Sequence, residues 1–178
     1  MAPSVAAADP TQSATEPGWP GLAGWLLVCF AAPAFGCAAN SGGWYVMLAK
    51  PAWNPPGWIF GPVWTALYAL MGMAVWLVWR RGGWRAQSLP LALFLVQLAL
   101  NAAWTPLFFA LHSPALAFAD IVMRWLAIGV TIALFRRVSV PAAWALAPCF
   151  AWVGISAFLN FTIWQLNRCA GGLPFCTM

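Results

Sequence analysis

Apolar residues run along this chain in long stretches, broken by clusters of glycine, proline, arginine and small polar residues. A helix crossing the hydrocarbon core of a bilayer needs about 20 consecutive apolar residues, and the pattern supplies five such spans. The first is expected from Trp19 to Ala39, with Pro33 inside it and Asn40-Ser41-Gly42-Gly43 ending it. The second runs from Gly57 to Trp79 and stops at the basic loop Arg80 to Arg85. The third runs from Leu89 to Ala110, with Pro90 in its first turn. His112-Ser113-Pro114 then turns the chain into a fourth span that ends on Arg136-Arg137. The fifth runs from Pro141 to Asn167. Short connections make consecutive spans antiparallel neighbours, so the expected fold is an all-α integral membrane protein built as a five-helix bundle.

Between the first two spans lies Lys50 to Trp64, KPAWNPPGWIFGPVW, with four prolines and three tryptophans. Prolines 51, 55 and 56 exclude regular helix and hold the chain extended or turned. Pro55-Pro56 also suits a helix start, where the first N–H groups lack intrahelical partners. The stretch reads as a stiff lid that brings Trp53, Trp58 and Trp64 to the mouth of whatever it covers. Tryptophans near helix ends also act as interfacial anchors, and both readings stay open.

Composition agrees with the pattern. The chain is 63% hydrophobic and only 6% charged, against about 25% charged residues in soluble domains. The net charge of +5 comes from eight basic residues against three acids, and the basic residues cluster in short gaps between apolar runs, which is a membrane pattern and not a nucleic-acid patch. Residues 1–18 are polar, contain no basic residue and read as a disordered tail, not a signal peptide. Residues 19–168 form the membrane domain and residues 169–178 a C-terminal tail. Five arginines fall on one side of the bundle and Lys50 and Arg168 on the other. The positive-inside rule therefore predicts a cytoplasmic N-terminus, with the lid and the C-terminus outside.

Helical spacing gathers the unusual residues onto faces. Gly61, Trp64, Thr65, Tyr68 and Gly72 share one on the second span; Gln97, Asn101, Trp104, Thr105 and Phe108 share one on the third. On the fifth, Trp152, Ser156, Asn160 and Trp164 are four apart. Amides facing lipid would be unsatisfied, so these faces are expected to turn inward. There they serve as interhelical glue or as ligand contacts, with glue favoured for Gln97. Asp120 and Arg124, four apart on the fourth span, are expected to pair with each other. The five cysteines and single histidine follow no metal-ligand spacing. A Cys169–Cys176 disulfide is one option for the tail. Ala92, Ala99 and Ala103 form a small-residue ridge on the third span, which predicts a homodimer.

KPAWNPPGW, GPVWTALYALMG, QLALNAAWTPLFF and LNFTIWQLN occur in this order. Together they resemble the translocator protein family, also called the tryptophan-rich sensory protein or peripheral-type benzodiazepine receptor family (TspO/MBR), over residues 20–168. The resemblance implies a five-helix bundle, often dimeric, whose pocket opens near the first loop. It implies porphyrins, notably protoporphyrin IX, as ligands, with sterols and benzodiazepine-type compounds in animal members, and no required cofactor. Trp64 and Trp152 match two pocket tryptophans implicated in porphyrin breakdown, Trp53 the lid tryptophan, and Asn101 the pocket asparagine. Phe161 stands where the animal sterol motif has tyrosine, and Asn54 where histidine is often found. The expected ligand-binding set is Trp53, Trp58, Trp64, Tyr68, Asn101, Trp104, Trp152, Ser156 and Asn160. A receptor or sensor for porphyrins, linked to tetrapyrrole responses, is the first reading. Light-dependent porphyrin degradation through Trp64 and Trp152 is the second, and transport of porphyrin or sterol-like amphiphiles the third.

Overall fold

Proline and glycine decide where the helices begin. In the computed structural model, which describes residues 18–35 and 43–168, α1 (Trp19–Ala31) carries Pro20 in its first turn. A short α2 (Trp44–Met47) follows Gly43, and α3 (Gly57–Trp79) starts directly after Pro55-Pro56. Gly82 and Gly83, at φ 116° and 61°, swing the chain into α4 (Gly83–Thr105). Ser113 caps α5 (Pro114–Val138), its Oγ accepting from the Leu116 N–H at 3.4 Å. Finally α6 (Val140–Asn167) has Pro141 in its first turn, where its missing N–H costs nothing.

Two boundaries differ from the sequence expectation. The first span ends as α-helix at Ala31 and tightens into a 3-10 turn over Ala32–Phe35. Pro33 has no N–H to give the preceding turn and its ring crowds the carbonyl four residues back. The third span starts six residues early, at Gly83 instead of Leu89, so the basic loop is shorter than read. The helix absorbs Pro90 by kinking at Gln87 (φ −125°, ψ 32°). At its far end α4 widens into one π turn, Pro106–Ala110. The N-terminal tail to residue 17, and the C-terminal tail with Cys169 and Cys176, lie outside the described residues.

Four helices are long and apolar enough to cross a membrane among the described residues: α3, α4 with its π turn, α5 and α6. At 13 residues α1 is apolar but shorter. This is an all-helical, multi-pass membrane protein. Helix α5 packs on both α4 and α6, and α3 joins α1 to α6.

The bundle is packed differently at its two ends. Towards the arginine-bearing end, Met71, Val75 and Val78 of α3 close against Leu91 and Phe94 of α4. Ile128 and Phe135 of α5 and Ala142, Leu146, Cys149 and Val153 of α6 complete a solid core there. Towards the other end a smaller cluster forms around Phe108, Ala117, Leu159 and Ile163, roofed by Trp44, Tyr45 and Leu48. Between the two clusters the helices do not close. On the outer surface Ala92 and Ala99 are exposed and Ala103 half-buried.

Candidate functional site

The opening is a cavity of about 390 Å³, within the range of small-molecule sites. Helix α3 presents Gly57, Phe60, Trp64 and Tyr68 to it, and α4 with its π turn presents Asn101, Trp104, Thr105, Phe108 and Phe109. From α6 come Ser156, Leu159, Asn160 and Ile163, from α5 Ile121 and Arg124, and Pro33 and Tyr45 close the rest. The walls are largely aromatic. Trp64 stacks on Tyr68 at 5.5 Å, and Trp104 on Phe108 at 5.1 Å.

The polar groups of the wall are mostly bonded to one another. Asn101 Nδ2 donates to the Tyr68 hydroxyl at 2.8 Å, tying α4 to α3. Trp104 Nε1 donates to Asn160 Oδ1 at 3.1 Å, while Asn160 Nδ2 donates to the Pro114 carbonyl at 2.8 Å. Asn160 thus joins three helices and fixes the plane of the Trp104 indole. Ser156 Oγ donates back to the Trp152 carbonyl at 2.9 Å. Asn101 and Asn160 are at once interhelical ties and part of the cavity surface.

Six of the nine residues expected from sequence stand together on this wall: Trp64, Tyr68, Asn101, Trp104, Ser156 and Asn160. Three stand elsewhere. Trp53 is partly exposed and stacks on Phe158 at 5.4 Å, and Trp58 is the more exposed of the two. Trp152 lies behind the wall, edge-on to Phe60 at 5.9 Å, its Nε1 buried without a hydrogen-bond partner. The faces also turn out narrower than spacing implied. Gly61 and Thr65 are exposed, with Thr65 Oγ1 returned to the Gly61 carbonyl at 2.9 Å. Gln97 is buried one turn deeper than Asn101, and neither of its amide atoms has a hydrogen-bond partner.

The roof comes from a stretch that sequence reasoning passed over. Trp44 lies 4.6 Å from the ring of His112, itself in the left-handed region at φ 49°, and 5.6 Å from Phe108. Tyr45 packs edge-on to Phe109 at 5.5 Å and reaches the cavity. Burial pushes the Tyr45 phenol above its ordinary range, against the opposing pull of Asn54. The ring is therefore neutral, and Lys50 Nζ lies over it at 4.6 Å as a cation–π contact. That ammonium also donates to the carbonyls of Leu48 at 3.1 Å and Val46 at 3.3 Å, so it is committed to the roof. Asn167 fastens the roof to α6: its Oδ1 accepts from Ala49 N at 2.9 Å and its Nδ2 donates to Ala49 O at 2.9 Å. An aromatic pair between a breaker, Asn40 to Gly43, and the proline stretch was the available signal for Trp44 and Tyr45.

Asp120 and Arg124 do not pair as spacing suggested. No ion pair joins them among the described residues; Asp120 Oδ2 and Arg124 Nε and Nη2 are buried without hydrogen-bond partners. Arg124 turns to the cavity instead, its guanidinium 4.9 Å above the Trp64 ring.

The sequence is also similar to those of known proteins. The family model described as the TspO/MBR family matches residues 23–165. The tryptophan-rich protein TspO of Chlorobaculum tepidum is 44% identical over 126 residues, covering 70% of this chain and 79% of that protein. The translocator protein of Homo sapiens is 38% identical over 161 residues, covering 85% and 93%. The tryptophan-rich sensory protein of Cereibacter sphaeroides is 35% identical over 143 residues, covering 80% and 89%.

Proposed function

This chain belongs to the TspO/MBR family, and on that premise we propose that it is a membrane receptor holding a flat porphyrin-type ligand, such as protoporphyrin IX, beneath the Trp44–Tyr45 roof. The observation that carries the reading is the aromatic cavity itself. Trp64 and Tyr68 on one side and Trp104 and Phe108 on another offer stacked faces to a planar apolar ring. A receptor is favoured over an enzyme because, of the two tryptophans expected to act in breakdown, only Trp64 lines the cavity. The name of one relative, tryptophan-rich sensory protein, accords with a sensing role.

The test is tryptophan quenching of the detergent-purified chain titrated with protoporphyrin IX, in the dark and then in light. Saturable quenching in the dark is the expected result. Its absence would remove porphyrin as the ligand, and loss of the porphyrin absorption band only under light would favour degradation.

We further propose that α1 completes a five-helix bundle and that two chains pair through α4. The exposed Ala92 and Ala99 allow close helix approach. Ala99→Leu is expected to move the protein from dimer to monomer in light scattering; a species of unchanged mass would place the interface elsewhere.

A further inference from the structure

Arg124 is the anomaly of this cavity. It lies on a membrane-spanning helix, is 2% exposed, and has Nε and Nη2 without hydrogen-bond partners. An unpaired cation at membrane depth is costly and marks a functional position. Asp120, one turn away, and the Cys149 thiol both interact with it electrostatically, but no ion pair joins Asp120 to Arg124, and of the two only Arg124 lines the wall.

Its depth matters as well. Arg124 is ten residues into α5 and Tyr68 eleven into α3, each about 15 Å below the helix starts at the roof end. Arg124 therefore sits at the inner end of the cavity, its guanidinium over the ring of Trp64, which stacks on Tyr68, whose hydroxyl accepts from Asn101. Lys50, the cation nearest the roof, is already held by two carbonyls and the Tyr45 ring.

We propose that Arg124 makes the inner end of the cavity an anion subsite, so that the pocket selects amphiphiles carrying a carboxylate over neutral ones of the same shape. The carboxylate enters first and is drawn to the guanidinium charge that lines the inner wall. The apolar body follows, flanked by the aromatic walls. A guanidinium suits this task because its planar fork matches a carboxylate and it keeps its charge out of water. The inference rests on reading the cavity as a ligand site, and adds which end of the ligand is recognised.

Two matched pairs test it on the detergent-purified full chain by tryptophan quenching: protoporphyrin IX with its dimethyl ester, and 9,10-dibromostearic acid with its methyl ester. Each acid is expected to bind about ten- to a hundredfold more tightly than its ester, as the loss of a charge-assisted hydrogen bond implies. Arg124→Met should erase the preference by weakening the acid alone, and Arg124→Lys should retain part of it. Equal binding of acid and ester by the unaltered chain overturns the subsite while leaving porphyrin binding intact; that comparison needs no variant to fold. A preference that survives in Arg124→Met also overturns it. Failure of both porphyrins, with an Arg124-dependent preference for the bromostearate, would remove porphyrin and sustain the subsite. No saturable binding in either pair overturns both.

Discussion

Replacing Trp64 by leucine should weaken porphyrin binding by about 1 to 3 kcal/mol, the range seen when an aromatic platform is taken from under a flat ring. That is roughly a five- to 150-fold loss. Trp64 presents its ring to the cavity, rests on Tyr68 at 5.5 Å and lies beneath Arg124 at 4.9 Å. Leucine removes the platform and the face over which the guanidinium is held. Phenylalanine keeps a smaller version of both, and an intermediate affinity is expected. The matched change Trp152→Leu should weaken binding distinctly less, since the Trp152 indole meets Phe60 and not the cavity. Dark quenching titrations of the three variants decide the matter. Equal losses at Trp64 and Trp152 would mean that the ligand reaches past the Phe60 wall into the level that is closed here.

The contrast between these two tryptophans shows what the sequence holds and what it omits. Trp152, Ser156 and Asn160 share a helix face because they are four apart, and spacing reports faces faithfully. It does not report depth. Trp152 lies one turn below Ser156, at the level where Cys149 and Val153 have already closed the bundle. The same step separates Gln97 from Asn101. Nor does spacing fix the zero of rotation, which is why Gly61 and Thr65, grouped with Trp64, face outward.

Helix limits were legible wherever proline or arginine forces them. Gly57 to Trp79 emerges as read, between Pro55-Pro56 and Arg80-Arg81. The start of α4 was not, because a glycine pair serves equally to break a helix and to turn into one, and here the positive φ at Gly82 and Gly83 does the second. Arg124 was hidden by a rule that is permissive. Four-residue spacing allows Asp120 and Arg124 to meet, but a long side chain can as well rise over Trp64, and a cavity beside it decides the direction.

Gly72→Leu should be the most damaging single change among the glycines, costing about 3 kcal/mol at the upper end of overpacking effects. Gly72 is buried where α1 crosses α3. A Cβ there would stand 2.6 Å from Leu26 Cδ2 and 3.2 Å from Leu26 Cα. Alanine is tolerable if the Leu26 side chain swings away; a leucine side chain meets the α1 backbone and must displace the helix. Helix α1 is the short one, 13 residues, and its hold on the bundle depends on this close approach and on Gly21 against Trp79. Moving it withdraws Cys29 and Ala32 from the core and Pro33 from the cavity wall, so thermal stability and ligand affinity should fall together. Gly61→Leu is the internal control, because a Cβ at Gly61 meets nothing within 4 Å and the position is exposed. Thermal unfolding of both variants in detergent, followed by porphyrin titration, tests the argument. Gly72→Leu unfolding at the wild-type temperature would show that α1 does not dock on α3 through this contact. The wall contributed by Pro33 would then have to be held by the roof and α4 alone.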